Sequence, residues 1–210
     1  MSLAFLIGGT AYYGGKNVTR TNEHKCHNPG QLTSRINGLK IISSSAGFST
    51  RLMIANGAVQ SRLVYLITVW GGSSQYLLRA LQVQQLNAAR TVCGFHSRWW
   101  SKSRLLKQVG WLSVRQLIFY HTALQAYKTM TTGVPRPLYS HFSTNNVYRT
   151  RSVAQGDIKL RDDYRSVKTF KYRAMTAYNS IPVDVRTGTQ STVKKKLKMW
   201  VKKNIPLDLD

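Results

Sequence analysis

The strongest constraint on the fold is a patterned apolar stretch between Arg62 and Phe95. It reads RLVYLITVWGGSSQYLLRALQVQQLNAARTVCGF, and apolar residues recur at helical spacing on both sides of Gly71-Gly72. Glycine accepts the left-handed conformation that ends many helices, so this pair predicts the end of one helix and a tight connection to the next. Helices joined by so short a connection pack antiparallel. The chain is therefore expected to be organised around an antiparallel helix pair.

The two helices of this pair have predictable starts and faces. The first is expected to begin near Ser49, a good N-cap residue, and to turn one side inward: Leu52, Ala55, Val59, Leu63 and Leu66. The second is expected to begin after Ser73 or Ser74, with an inward side formed by Leu77 or Leu78, Leu81, Gln85, Ala88 and Val92.

Arginines occur at a regular spacing on both helices of the pair. Arg51 and Arg62 are eleven residues apart, and so are Arg79 and Arg90. Eleven residues make about three turns at 3.6 residues per turn, so each pair is expected on one side of its helix. These arginines are candidates for contacts with a ligand.

The charge balance indicates the class of partner. The chain has 210 residues with 31 Lys and Arg against 7 Asp and Glu, which gives a net charge of +24. Between His24 and Gly156 there are sixteen Lys and Arg and no acidic residue. A domain of this kind repels itself unless it lies against a polyanion. Nucleic acid, either RNA or an RNA/DNA duplex, is the expected partner, and an anionic membrane surface is the disfavoured alternative.

Cysteine and histidine usage predicts neither disulfides nor a metal site. Cys26 and Cys93 do not make a disulfide framework, which is typical of a reducing compartment. His24, Cys26 and His27 lack the second ligand pair of a zinc site, so we expect no metal and no other cofactor. The N-terminus lacks the basic region of a signal peptide. We expect an intracellular protein, in the nucleus or the cytoplasm, that is not secreted.

Further helices are predicted on both sides of the pair, which makes the expected fold class mainly α. Their expected spans are 31–44, 104–110, 113–132, from 166 or 169 to 181, and from 191 or 192 onward. Residues 1–30 are turn-rich, with Leu3–Ile7 and Ala11–Tyr13 expected as a β-hairpin. A small extended or β segment is expected near 145–165. His121 is interpreted as a core or boundary residue of its helix.

No catalytic centre is predicted. Hydrolysis by paired carboxylates and two-metal phosphoryl transfer both need clustered acidic side chains. Asp162-Asp163 is the one adjacent pair, and it lies between Arg161 and Arg165. This composition is typical of a surface turn. We therefore expect a protein that is not an enzyme and has no small-molecule substrate.

Two further groups of residues have the composition of a nucleic-acid surface. Trp99-Trp100 lies among Arg98, Lys102 and Arg104, which combines stacking rings with phosphate-binding cations. The last helix presents Lys194, Lys195 and Lys198 beside a narrow apolar stripe of Val193, Leu197, Trp200 and Val201. Two purely structural interpretations remain open: the tryptophans cover a helix junction, and the lysines form a solvated helix face.

Three stretches together resemble the region that follows the catalytic palm in reverse transcriptases of non-LTR (LINE-type) retrotransposons. The first contains Tyr65, Trp70-Gly71 and Leu81-Gln82-Val83-Gln84-Gln85-Leu86-Asn87-Ala88-Ala89-Arg90, similar to the family pattern Leu-Gln-x-x-Gln-x-x-Ala-x-Arg. The second is Gly110-Trp111-Leu112-Ser113-Val114-Arg115-Gln116-Leu117. The third joins Tyr148-Arg149-Thr150-Arg151, Phe170-Lys171-Tyr172-Arg173, Tyr178-Asn179-Ser180-Ile181-Pro182 and Val193-Lys194-Lys195-Lys196-Leu197-Lys198. It differs from the family at Tyr178, Ile181 and Val193, where Trp, Leu and Phe are usual.

The resemblance covers about residues 31–204 and implies a domain organisation. Residues 1–30 resemble the end of a palm domain, 31–95 a thumb-like helical segment, and 96–210 a basic helical tail. The family's catalytic aspartates, in an aromatic-x-Asp-Asp box, would lie N-terminal to residue 1, and Asp162-Asp163 does not correspond to them.

The resulting hypothesis is a non-catalytic fragment of a retrotransposon reverse transcriptase that binds a template–primer. The alternative is a self-contained host RNA- or DNA-binding module of the ribosome-associated type. An aromatic-x-Asp-Asp box encoded just upstream would favour the first. The residues predicted to contact nucleic acid are Arg51, Arg62, Arg79, Arg90, Arg98, Trp99, Lys102, Arg104, Lys194, Lys195 and Lys198.

Overall fold

The computed structural model describes residues 6–7, 10–13, 16–18, 29–65, 67–94, 97, 99–142, 157–158 and 169–207. Within these ranges the chain is mainly α-helical, as predicted. The segment near 145–165 that was expected to be extended lies outside the described residues, except for 157–158, which belong to no strand. That part of the fold prediction therefore stays a prediction.

A short antiparallel sheet forms near the N-terminus. Its strands are β1 (Leu6–Ile7), β2 (Thr10–Tyr13) and β3 (Lys16–Val18), in the order β1-β2-β3. Leu6 pairs with Ala11, and Tyr12 pairs with Asn17. β1 and β2 correspond to the hairpin that the sequence predicts.

Helices make up nearly all the rest of the described chain. They are α1 (Pro29–Ser43), α2 (Phe48–Ala55), α3 (Ser61–Val64), α4 (Ile67–Trp70), α5 (Gln75–Cys93), α6 (Lys102–Val109), α7 (Val114–Thr132), α8 (Arg136–Phe142), α9 (Phe170–Asn179), α10 (Val183–Arg186) and α11 (Gln190–Asn204). A π-turn, Asn56–Gln60, joins α2 to α3. None of the described helices combines the length and the apolar character that a membrane crossing requires.

The predicted helix pair is present and antiparallel. The Arg51 guanidinium, near the start of α2, lies beside Gly94 at the end of α5. Farther along, the Gln85 amide donates to the Gln60 side-chain oxygen at 3.3 Å. Contacts therefore run in opposite directions along the two helices. α1 also packs on α5, so α5 is covered by two helices at once.

The first helix of the pair departs from the prediction because its buried residues recur every four positions. Ala55, Val59, Leu63 and Ile67 are all at most 2% exposed. In an ideal α-helix, four residues make more than a full turn, so this stripe drifts around the axis. The π-turn places more residues in one turn and takes up the drift. Of the other predicted inward residues, Leu52 is half-buried and Leu66 lies outside the described residues.

The end of this helix was also predicted wrongly. The helix does not run unbroken to Gly71, because Tyr65 is extended, with ψ at 121°. The Trp70 indole donates to the carbonyl of Tyr65 at 2.9 Å, which satisfies an acceptor near the break. The N-cap is Gly47 and not Ser49.

Gly71 is required for space and not for a left-handed conformation. A Cβ on Gly71 would lie 2.7 Å from the Ile67 carbonyl oxygen, 2.8 Å from Ile118 and 2.9 Å from Arg173, while its φ is not in the left-handed region. α7 and α9 thus approach the backbone at the turn between α4 and α5.

The helices α1, α6, α7, α9 and α11 agree closely with their predicted spans, whereas α8 and α10 were not predicted. Ser113 caps α7 in a reciprocal capping box with Gln116, and Gly133, with φ of 67°, ends the helix. α11 lies antiparallel on α7, because Tyr127 donates to the Gly188 carbonyl while Gln116 donates to that of Ile205. In α1, Leu32, Ile36 and Leu39 are buried, whereas Ile42 is 43% exposed.

One cluster of buried apolar side chains unites most of these helices. It includes Leu32 of α1, Val59 of the π-turn, Val92 of α5, Leu124 of α7 and Val201 of α11. The predicted segments 31–95 and 96–210 therefore share a core. A smaller cluster, centred on the fully buried Phe142, joins α7, α8 and α9.

Gly71→Ala should destabilise the fold by about 1–3 kcal/mol, since backbone and packed side chains occupy the space of the new methyl group. Gly38→Ala is the matched control, because nothing lies within 4 Å of a Cβ at that helical position. It should stabilise the chain by about 0.5–1 kcal/mol. Urea denaturation measures both changes, and equal effects of the two variants would contradict this packing argument.

Candidate nucleic-acid interface

The glutamines of the quoted Leu81–Arg90 motif form a buried amide network. Gln85 is 0% exposed, and its amide nitrogen donates to the Leu112 carbonyl at 2.9 Å as well as to Gln60. Its oxygen accepts a hydrogen bond of 3.1 Å from Gln82. Three of the four hydrogen bonds that a glutamine side chain can make are thus formed. A buried amide left without such partners is costly, so these bonds specify how α5 meets residue 112.

The same network fixes the start of α7. The oxygen of Gln82 accepts a 2.7 Å hydrogen bond from the Val114 backbone N–H, one of the first donors of that helix. The Trp111 indole donates to Asn56 in the π-turn at 2.8 Å. The helical pattern predicts that Gln85 faces inward, but it predicts no role for Gln82 or Asn56, because it does not show which groups a side-chain amide hydrogen-bonds.

The third quoted stretch is also held internally. The side chain of Asn179 bonds both backbone groups of Ile158, at 2.9 Å to its N–H and 2.7 Å to its carbonyl. Next to it, Arg186 lies over the Tyr178 ring at 4.7 Å and pairs with Asp157 at 2.7 Å. The motif around Tyr178 and Asn179 therefore anchors residues 157–158 against α9.

Arg173, another residue of that stretch, connects it to the first. Its guanidinium donates to the Thr68 carbonyl at 2.9 Å, across 105 residues of sequence. Burial lowers the pKa of Arg173, and two of its nitrogens are buried without a described partner. These residues of the first and third stretches thus contact one another in the interior, and a ligand surface must use the exposed side chains of the chain.

Arg51 differs in exposure from Arg62, with which the sequence pairs it. Arg51 is half-buried, and its guanidinium donates to the Ser43 carbonyl at 3.4 Å. Arg62, at the end of α3, is exposed. A spacing of eleven residues places two side chains on one side of a regular α-helix, but the π-turn between Arg51 and Arg62 changes the helical phase.

Arg79 and Arg90 do share one side of their helix, because α5 is uninterrupted. They lie on its outer side with the exposed residues Tyr76 and Val83 and with Asn87, whose oxygen accepts from Arg90 at 3.3 Å. We call these five residues the α5 stripe. Arg79 and Arg90 are about 16 Å apart along the axis, about the rise of five nucleotides in one strand of a duplex.

Ser97, four residues after the end of α5, bonds back to the end of that helix. Ser97 donates to the carbonyls of Arg90, at 3.1 Å, and Gly94, at 2.6 Å. Trp99 is 87% exposed, whereas Trp100 packs against the core with the Arg104 guanidinium 4.4 Å above its ring. Lys102 and Arg104 are exposed at the start of α6, and Arg98 lies outside the described residues.

The predicted lysines occupy the outer side of α11. Val193, Leu197 and Val201 are buried, which turns Lys194, Lys195 and Lys198 to solvent. Lys202 continues the same side one turn later, and we call these four residues the lysine face. Lys196 differs, because it donates to the Asp184 carbonyl at 2.9 Å.

The predicted residues thus fall into separate groups rather than one site. Arg90, Trp99, Lys102 and Arg104 lie at the end of α5, where Ser97 ties the loop down. Arg79 lies at the other end of α5, and Arg62 lies on α3. The lysine face is on α11, which packs mainly on α7 and α10.

Acidic side chains do little to compensate these cations. Among residues whose side chains are described, the carboxylates are Asp157 and Asp184. Asp157 is engaged by Arg186, and both side chains are less than a fifth exposed. Within the described residues, no group of three or more His, Cys, Asp or Glu is placed to hold a metal ion. His24, Cys26, His27 and Asp162-Asp163 lie outside those residues.

Searches against protein-family models, curated proteins and solved structures find no match to this chain. The similarity to non-LTR reverse transcriptases therefore rests on the quoted residues alone.

Gln85→Met should destabilise the fold by about 2–4 kcal/mol, because Leu112, Gln60 and Gln82 each lose a buried partner. Gln84→Met makes the same change at a half-exposed neighbour and should alter the stability by at most about 0.5 kcal/mol. Urea denaturation compares the variants. Near-equal stabilities would show that the amide network does not specify the packing.

His121 should make the fold sensitive to acid. Burial and the charge of Lys128 lower its pKa below the usual 6.5, so the folded chain binds a proton less readily than the unfolded chain. Stability is then retained above about pH 6.5 and lost as the pH falls toward the folded-state pKa. His121→Gln should remove this component. Denaturation between about pH 8 and pH 5 should show the variant losing less stability than the wild type, and parallel curves would contradict the assignment.

Proposed function

We propose that this chain binds nucleic acid without catalysing a reaction, as the thumb and tail region of a non-LTR retrotransposon reverse transcriptase that lacks the palm. The observation that carries the binding proposal is the lysine face of α11. Its lysines are exposed, and the buried residues Val193, Leu197 and Val201 hold them in one orientation.

The lysine face is unfavourable for the chain by itself. Lys194 and Lys198, and likewise Lys198 and Lys202, are four residues apart on a helix, where like charges destabilise by about 0.2–0.5 kcal/mol per pair. A polyanion converts this repulsion into attraction. Lysines on flexible stems act as point charges toward phosphates, which favours binding that does not depend on sequence.

The α5 stripe supplies a second basic surface. Arginine binds phosphate through a planar fork of donors, and two such groups on one side of a rigid helix fit a regularly spaced backbone. Together, Lys194, Lys195, Lys198, Arg62, Arg79 and Arg90 offer six cations. Six phosphate contacts give a slope of log affinity against log salt of about −4 to −5.

The internal contacts support assigning the three quoted stretches to one unit. Gln82 and Gln85 of the first stretch bond residues 112–114 of the second. Arg173 of the third bonds Thr68 of the first. Residues that resemble one family region in sequence order are thus packed together, as a common fold requires.

Lys198→Glu separates a binding role from a solvated helix face. The new carboxylate replaces three like-charge pairs on α11, those with Lys194, Lys195 and Lys202, with opposite-charge pairs, so the fold should become about 1–3 kcal/mol more stable at low salt. Affinity for a labelled RNA or RNA/DNA duplex should fall roughly tenfold, and the salt slope should decrease by about 1. Fluorescence anisotropy at several salt concentrations measures both quantities.

Arg35→Glu is the control, since it changes the net charge equally at an exposed position of α1 outside the proposed surface. It should leave the affinity within about twofold of the wild type, because distant surface charges are screened. A gain in stability from Lys198→Glu without a loss of affinity would contradict the role of the lysine face. Affinity of the wild type that is independent of salt would overturn the proposed function.

A further inference from the structure

We propose that Trp99, with the neighbouring Trp100–Arg104 stack, forms a subsite for an unpaired base of a single strand or an overhang. This inference rests on the proposed function and deepens it, because it names which form of nucleic acid the end of α5 selects.

The side chain of Trp99 is exposed. An indole is the largest apolar side chain, and 87% of this residue is accessible to water. Covering this surface with the face of a base would remove apolar area from water, which is favourable. Trp99, in the loop between α5 and α6, thus presents its ring to solvent.

The described residues on both sides of Trp99 are anchored by hydrogen bonds and packing. Ser97 bonds two carbonyls in the last turn of α5, and the Trp100 N–H bonds the Ser97 carbonyl at 3.1 Å. On the other side, Trp100 packs on the core and Ser101 caps α6 by accepting from the Arg104 N–H at 3.3 Å. A ring carried on such a loop loses little conformational freedom when a ligand stacks on it.

The surroundings of the ring are positively charged. The Arg104 guanidinium carbon lies 4.4 Å from the centre of the Trp100 ring, a cation–π contact that holds its positive charge beside the loop. Lys102 is exposed in the same turn of α6 as Arg104. Arg90 lies in the last turn of α5, where its carbonyl accepts from the Ser97 hydroxyl. Cations beside an exposed aromatic ring match a phosphate beside a base, and they do not match an apolar protein partner.

An exposed ring with cations beside it favours unpaired nucleotides as the ligand. Bases inside a duplex are stacked on one another and have no free face for an indole, whereas bases of a single strand or an overhang do. The lysine face and the α5 stripe contact phosphates in either form. The Trp99 subsite should therefore add affinity only where a base is unstacked.

The test compares three probes of equal phosphate number: an intact single strand, the same strand with abasic residues, and a closed duplex. The wild type should bind the intact strand about tenfold more tightly than the abasic strand, and Trp99→Ala should abolish that difference. Trp99→Ala should leave affinity for the abasic strand and the duplex within about twofold. Trp99→Phe retains a ring and should keep most of the preference.

Lys198→Glu is the matched variant for phosphate contact and should weaken binding to all three probes. Since Trp99 is exposed, Trp99→Ala should unfold at the same urea concentration as the wild type, which verifies that the core is intact. Equal affinity of the wild type for intact and abasic strands would overturn the subsite while leaving the proposed function standing. Loss of self-association in Trp99→Ala would also overturn it, because the ring would then cover a protein interface. Salt-independent binding to every probe would instead defeat the proposed function itself.

Discussion

The buried amide network around Gln85 is the interaction on which the rest of the structure depends. A glutamine that is fully removed from water is unfavourable unless its donors and acceptor are satisfied. Gln85 meets this condition only where α5, the π-turn and residue 112 come together, since its partners are Gln82, Gln60 and the Leu112 carbonyl. Apolar packing alone tolerates sliding, whereas these bonds select one arrangement of the helices.

The consequences of this arrangement extend to the C-terminal helix. Gln82 holds the first residue of α7, and Gln116, in the capping box of α7, donates to the Ile205 carbonyl at 2.8 Å. The orientation of α11 therefore follows from contacts that begin on α5. Because α11 carries the lysine face, the direction in which its lysines point is connected to the amide network by a short series of hydrogen bonds.

Features of the fold that depend only on neighbouring residues could be predicted from the sequence, and features that depend on distant residues could not. The spans of α5, α7 and α11 follow from helical periodicity and from turn residues such as Gly133, and the structure confirms them. The π-turn was missed, because the four-residue spacing of Ala55, Val59 and Leu63 also fits a regular helix over a short window. The partial burial of Arg51 was not foreseen for the same reason. Gly71 was recognised as a break, but glycine is needed there because Ile118 and Arg173 approach its backbone, which no local pattern shows.

The exposure of the cations on regular helices was easier to predict than the interior contacts. Exposed cations on uninterrupted helices, such as Arg79 and Lys198, need only the helical phase to be placed. Gln82, Asn56 and Asn179 bond groups between 21 and 55 residues away, so their partners appear only when the chain is folded. The grouping of Trp99 with the last turn of α5 likewise depends on a bond from Ser97 that the sequence does not reveal.

Neutral hydrogen bonds in the interior leave the surface free to carry charge of one sign. The described ion pair, Arg186 with Asp157, is largely buried, and the network around Gln85 contains no charged group. Salt screens exposed charges strongly but has little effect on buried amide bonds. Raising the salt should therefore weaken contacts with phosphate without loosening the core, and should relieve repulsion on the lysine face. For this reason, a fall in affinity with salt reports on the ligand surface and not on unfolding.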